Sequence, residues 1–150
     1  ASALCYCDGV SMGTRYWACR ESVGNQKLQE ELVKENSCDD VIRTAVFDQI
    51  HNEIQPFKWP HPYDSSSALR NRTTEEWEGK SSEELQHAMD STNFLEQYKV
   101  SKGISDGNIV PVLAGEGVGE IESIEGAYQM TLEVEKEAID AIDRLKSIYK

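Results

Sequence analysis

The sequence predicts a helix-rich α/β chain, and three observations carry that reading. Ala127, Met130, Val134, Ala138, Ala141, Leu145 and Ile148 recur at steps of three and four residues, the spacing of one face of a long α-helix. Two apolar stretches, "GVSM" at 9–12 and the run at 109–114, read as short buried strands. They lie far apart, with helical and loop-like sequence between them, and an α/β layer needs more strands than these. The 150 residues amount to one domain's worth of chain, yet the shortage of strands makes the sequence read as part of something larger.

The elements follow in order. "ASALCY" (1–6) reads as the tail of a helix, and "GVSM" as a strand leaving it and ending on Gly13-Thr14. Asn25 is placed to cap a helix through "QKLQEELVKEN", where Leu28 and Leu32 share a face and Glu30 and Lys34 form an i,i+4 pair. "DDVIRTAVFD" is rich in β-branched and aromatic residues and predicts a strand. "QPFKWPHPYDSSSA" holds three prolines and three serines and predicts an irregular loop or lid. Two capping boxes come next: Thr73-x-x-Glu76 opens a short helix at "TEEWEG", and Ser81-x-x-Glu84 opens another through "ELQHAMD". "STNFLEQYKV" stays helical until Gly103, which is read as its C-cap. "NIVPVLAGEGVGEI" then turns apolar and glycine-rich before the long final helix, whose stripe reads as core packing.

Composition excludes several classes of function. With 15 basic and 27 acidic residues the formal charge is −12, which repels a phosphate backbone and argues against a nucleic-acid partner. The acidic residues are dispersed, as on a solvated surface. No apolar run approaches the ~20 residues of a membrane helix. "ASALCYCDGV" lacks the basic and apolar regions of a signal peptide, and the absence of an initiator Met reads as processing or as a piece of a longer chain. Cys5, Cys7, Cys19 and Cys38 contain no C-x-x-C pair and no zinc-finger rhythm with the histidines, so they read as reduced, buried cytosolic thiols and no metal is expected. Asn71-Arg72-Thr73 is a formal glycosylation sequon, a chance match without a secretory signal.

Gly13-Thr14 raises the first chemical question. Glycine lets backbone N–H groups approach a ligand, and a threonine hydroxyl can donate to a phosphate oxygen. A strand, Gly-Thr and a short helix are also the layout of the phosphate site after the late strands of a (β/α)8 barrel. An ordinary strand-to-helix turn has the same letters. "AGEGVGE" at 114–120 fails as a dinucleotide fingerprint, because Glu120 stands where the third glycine belongs and no βαβ unit surrounds it. His51, His61 and His87 form no H-E-x-x-H and accompany no nucleophile motif.

A resemblance extends the reading. "ASALCYCDGVSMGTRYWACRES" resembles the A-A-A-L-x-L-G-A-D-G-V-Q-M-G-T-R-F segment of the nitronate monooxygenase (2-nitropropane dioxygenase) family. "LRNRTTEEWEG" is similar to that family's L-R-N-x-x-x-x-E-W-E region, and "VPVLAGEGVGEI" to its A-G-Q-G-V-G-L-I turn, in the same order. The resemblance implies an α/β fold consisting of the C-terminal portion of an FMN-binding TIM barrel, its last strand and last helix, with a small helical α/β lid domain. Residues 1–19 would be the last barrel strand with its FMN-phosphate loop, 20–108 the small substrate or lid domain, and 109–150 the return segment and C-terminal barrel helix.

By the same resemblance, Met12, Gly13 and Thr14 would bind the FMN phosphate, and Gly115, Glu116 and Gly117 would lie at the substrate. The implied reaction oxidises alkyl nitronates with dioxygen to carbonyl compounds and nitrite. Glu116 departs from the family's glutamine and Cys7 from its alanine. The family's catalytic histidine lies on an earlier strand, so no catalytic residue is assigned to this chain and the chain alone is expected to be inactive. Its unpartnered apolar faces predict self-association into a homo-oligomer. Two alternatives stand beside this reading: a related FMN-dependent enoyl-acyl-carrier-protein reductase, and a non-catalytic module that binds another protein through its apolar stripe.

Overall fold

The computed structural model describes residues 9–34 and 36–148. The helix tail expected at 1–6, with Cys5 and Cys7, lies outside those residues. Nine regular elements follow one another: α1 (Gly13–Trp17), α2 (Gln26–Leu32), β1 (Val41–Thr44), α3 (Val46–Ile54), β2 (Ser66–Leu69), α4 (Arg72–Trp77), α5 (Ser82–Ser91), α6 (Phe94–Ile104) and α7 (Ala127–Ile148). Short 3-10 turns at Cys38–Asp40 and Glu116–Glu120 complete the backbone. The chain is mixed α/β and mostly helical. Among the described residues no helix is long and apolar enough to cross a membrane.

β1 and β2 pair antiparallel, with Val41 opposite Leu69 and Thr44 opposite Ser66. The strand expected at 109–114 is reduced to one bridge, Leu113 opposite Ala68, with Leu69 N–H donating to Val112 O (2.9 Å) and Ala114 N–H to Ser67 O (3.1 Å). Pro111 has no N–H to donate, which shortens the ladder at this edge. The strand expected at 9–12 has no regular structure, because no neighbouring strand pairs with it and Val10 stays exposed.

Two apolar cores lie on opposite sides of this sheet, as the two-residue period of a strand demands. Ala68 belongs to one, with Phe47, Ile50, Leu85, Tyr98 and Val110. Leu69 belongs to the other, with Ala18, Leu32, Val112, Ala114 and Val118.

Several boundaries differ from the sequence reading, each for a physical reason. "DDVIRTAVFD" is strand only to Thr44, whose hydroxyl accepts the Val46 N–H (3.1 Å) and turns the chain into α3. Within the region expected to be all loop, Ser66–Leu69 forms β2, since β1 supplies a partner ladder. α4 is capped by Asn71 rather than Thr73: Asn71 Oδ1 accepts the Thr74 N–H (3.2 Å), and Thr74 Oγ1 accepts the Asn71 N–H (2.9 Å). Gly103 stays helical, and the left-handed residue ending α6 is Ser105 at φ 56°. Its N–H donates to Lys102 O (3.2 Å), and Asp106 N–H donates to Ser101 O (3.0 Å). The Glu30–Lys34 pair does not form, because Lys34 reaches Glu31 while Glu30 accepts from Gln26.

Other expectations hold. Asn25 caps α2 through the Lys27 N–H (2.9 Å), and Ser81 and Glu84 form their reciprocal box at the start of α5. The final helix has the expected bounds, but only Met130 and Ala141 of its stripe are fully buried and Ile148 is exposed. Glu21 accepts the Ala127 N–H (2.8 Å) at the start of α7, and that bond holds its carboxyl below the usual range.

Asn71 also ties in a distant segment, its Nδ2 donating to Gly107 O (3.0 Å) and Val110 O (2.9 Å). Thr73 Oγ1 donates to Ile109 O (2.7 Å), and Arg72 N–H donates to Asn108 O (3.1 Å). Replacing Asn71 by alanine removes a helix cap and leaves two carbonyls short of a donor, an expected loss of about 2–4 kcal/mol. Equilibrium urea unfolding measures it, and a loss under half of that would show that water replaces the amide without cost.

His51 of α3 sits beneath Tyr98, with Nε2 and the phenol oxygen 3.1 Å apart. Burial pushes the imidazole below its ordinary value, Lys102 adds to the shift, and Asp48 opposes it. A histidine kept neutral in the fold contributes stability that is complete above its unfolded value of about 6.5 and declines as pH falls below it. The unfolding midpoint should therefore drop between about pH 7.5 and 5.5 more steeply in the wild type than in His51→Gln. Equal slopes would mean that His51 is protonated as readily folded as unfolded.

Candidate functional site

Residues 12–15 and 115–117 meet although a hundred positions of chain separate them. The Gly115 N–H donates to Thr14 Oγ1 at 2.8 Å, joining the Gly-Thr turn at the start of α1 to the glycine-rich turn. Tyr16 and Thr131 bring their hydroxyl oxygens within 2.9 Å and hold α1 against α7. The Glu116–Glu120 turn packs where Gly119 approaches backbone, since a Cβ there would lie 2.9 Å from Asn36 O. Glycine is required at 119 by that approach.

Between these segments lies a cavity of about 640 Å³. All six site residues expected from the sequence line it: Met12, Gly13 and Thr14 on one side, Gly115, Glu116 and Gly117 on the other. A Cβ at Gly13 or at Gly117 would have nothing within 4 Å, so neither glycine is demanded by the protein's own packing. His51, His61 and His87 line none of this cavity. His61 and His87 are exposed, beside Asp64 (3.3 Å) and Ser91 (3.3 Å) respectively.

The charge on the walls was not legible in the sequence, because it is gathered from separate segments. Glu116, Glu120, Glu122, Glu125, Glu133 and Glu137 line the cavity, and among the described lining residues Arg15 is the one cation. Arg15 is engaged, donating from Nη1 to Ser123 O (3.1 Å) and lying 3.6 Å from Glu125 Oε2 through Nη2. The Ser123 hydroxyl hydrogen bond, with Glu133 and the Arg15 charge, holds the Glu125 carboxyl below the usual range. Below Arg15, Cys19 is buried and its thiol donates to Arg15 O (3.4 Å), while burial pushes its pKa up. An unreactive thiol follows. Among the described residues no three His, Cys, Asp or Glu side chains converge as metal ligands.

The fold resembles part of FabK. The structure of FabK from Thermotoga maritima superposes with a TM-score of 0.60 at 19% identity, over 93% of this chain and 39% of that one. The M276A mutant of the same protein gives a TM-score of 0.58 at 18% identity, over 97% of this chain and 38% of that one. At such identities the likeness is one of fold, and this chain spans about two fifths of the FabK chain. No protein-family model matches the chain, and no curated protein matches it.

Thr14→Val keeps the shape of the side chain and removes the acceptor of the Gly115 N–H. The expected loss is about 1–3 kcal/mol, the cost of leaving a sequestered donor unpaired. Amide exchange at Gly115 should accelerate in step, and Thr14→Ser should restore both. Unchanged exchange in Thr14→Val would refute the clasp.

Proposed function

We propose that this chain supplies the last strand, the lid domain and the last helix of a cytoplasmic, FMN-dependent nitronate monooxygenase, which oxidises alkyl nitronates with dioxygen to carbonyl compounds and nitrite. The hydrogen bond between Thr14 and Gly115 carries the reading, because it joins two of the motifs through which the sequence resembles that family. The fold likeness to FabK supports a flavin-dependent oxidoreductase more broadly.

The residues fit one part of FMN. Open space over Gly13 leaves room for a phosphate against the backbone, and the Thr14 oxygen, already accepting from Gly115, keeps its proton to donate outward. The surrounding carboxylates suit a hydroxylated chain, whose protons they can accept, and disfavour a second anion. When bound, FMN supplies the oxidation–reduction chemistry with dioxygen. This chain's part is to hold the phosphate end at Met12, Gly13 and Thr14, and to face the substrate with Gly115, Glu116 and Gly117. No catalytic base is assigned among its residues.

The second reading, an FMN-dependent enoyl-acyl-carrier-protein reductase, is favoured by the FabK likeness. Steady-state assays of the longer protein separate the two. Oxygen consumption and nitrite release with an alkyl nitronate support the monooxygenase. NADPH consumption with an enoyl thioester, and none with nitronate, reverses the choice.

The chain by itself is expected to be colourless, inactive and self-associating. A cavity of about 950 Å³ separates Val10 and Met12 from Val134, Ala138 and Ala141 of α7, and Ile139, Ile142 and Ile148 are exposed. Open apolar faces of this kind favour association. Sedimentation velocity with a parallel flavin absorbance scan tests this. A yellow monomer that consumes oxygen with a nitronate would overturn it.

A further inference from the structure

A third cavity, of about 380 Å³, opens between α3 and the proline-bearing loop that precedes β2. Its walls are Phe47, Trp59, Tyr63, Pro111 and Leu113, with Asp48 and Ser66 as polar neighbours. Phe47 is a buried floor, whereas Trp59 and Tyr63 are 56% and 70% exposed, so large rings face open space instead of core. Trp59 is braced from outside by Phe57, edge to face at 5.0 Å between ring centres. His51 also lines the cavity, its Nε2 3.1 Å from the Tyr98 hydroxyl oxygen, and burial lowers its pKa. Asp48 accepts from the Ser66 hydroxyl (3.2 Å) and retains further lone pairs for a ligand.

This cavity and the Gly13–Gly115 cleft are linked by one stretch of backbone. Val112 and Ala114 are buried at 1% and 3% exposure and point into the core below the sheet. Strand alternation then puts Pro111, Leu113 and Gly115 together on the other face. Pro111 and Leu113 wall the aromatic cavity, and Gly115 walls the cleft. Two residues of extended chain, roughly 7 Å, separate Leu113 from Gly115, a span within the reach of one small molecule.

We propose that the aromatic cavity is a ligand-binding site, selecting the aromatic or bulky apolar end of a small molecule whose polar end reaches the cleft. Phe47, Trp59 and Tyr63 supply ring faces, Leu113 and Pro111 the closing wall, and Asp48 an acceptor for a donor group on the ligand. The assignment of the polar end rests on the flavin reading; the ring site itself does not.

Fluorine NMR of the full chain with 4-fluorobenzyl alcohol as probe tests the site. A saturable shift is expected. Trp59→Ala should weaken it at least ~10-fold by removing a stacking wall, and Leu113→Trp should do the same by filling the space. Both side chains are half exposed, so the fold is expected to persist, and the amide spectrum of each variant checks that. No saturable shift in the wild type, or an undiminished one in both cavity variants, overturns the proposal. Probe binding that Leu113→Trp abolishes, in a longer protein that takes up no flavin, would uphold this site and remove the flavin reading instead.

Discussion

The backbone of residues 107–115 is held at both ends by side chains from distant parts of the chain, and the site depends on that double attachment. At one end Asn71 and Thr73 take the carbonyls of Gly107, Ile109 and Val110; at the other Thr14 takes the N–H of Gly115. Each bond is worth only about 1 kcal/mol net, but an orphaned buried partner costs up to about 3, so the set resists partial opening. The segment is an incomplete strand with Pro111 in its middle, and ladder bonds alone would not fix it. Side-chain attachment does what the missing ladder cannot. It also sets the alternation that buries Val112 and Ala114 and presents Leu113 and Gly115 outward.

The electrostatics of the cleft follow from the same geometry. Once Gly115 is drawn to Thr14, the acidic turn at Glu116–Glu120 and the acidic face of α7 are drawn to the same space. Arg15 alone answers them, and it is spent on Ser123 and Glu125. An anion can therefore be accommodated only at the Gly13 end, where the wall is backbone and a hydroxyl. Elsewhere the carboxylates make the cleft mainly an acceptor of hydrogen bonds from a ligand.

How much of this the sequence disclosed depends on the distance over which each signal acts. The last helix was legible because its apolar stripe repeats across 22 residues, and the Ser81 box because both of its partners lie within one turn. The start of α4 was misplaced because Asn71-x-x-Thr74 and Thr73-x-x-Glu76 both satisfy a cap pattern. What decides between them is tertiary: Asn71 has carbonyls of residues 107 and 110 within reach of its amide. The end of β1 was hidden for a similar reason, since Val46 and Phe47 suit a strand as well as a helix. Gly13-Thr14 and the glycine-rich turn were each visible as backbone-approach motifs. That they touch, and that carboxylates from α7 join them, rests on contacts a hundred residues long that no local pattern encodes. The aromatic cavity escaped for the opposite reason: Trp59 and Tyr63 sit among prolines, and such a stretch reads simply as loop.

The shape of the unpartnered surface bears on what the chain belongs to. Residues 9–12 carry strand-like sequence but, among the described residues, lie against no strand that pairs with them, with a broad cavity between Val10, Met12 and α7. The helices between them are different, because Phe47, Ile50, Leu85 and Tyr98 bury one another in a shared core. The broad apolar opening therefore lies between residues 9–12 and the long final helix. That opening adjoins the turn where Gly13 faces open space, so a surface packed against Val10 and α7 would also cover the Gly-Thr turn. Superposition on about two fifths of a longer FabK chain fits that asymmetry. On the proposed reading, in which the Gly-Thr turn takes a phosphate, a surface that buried Met12 and Val134 would also remove water from Thr14, where exclusion of solvent strengthens every hydrogen bond made to the anion.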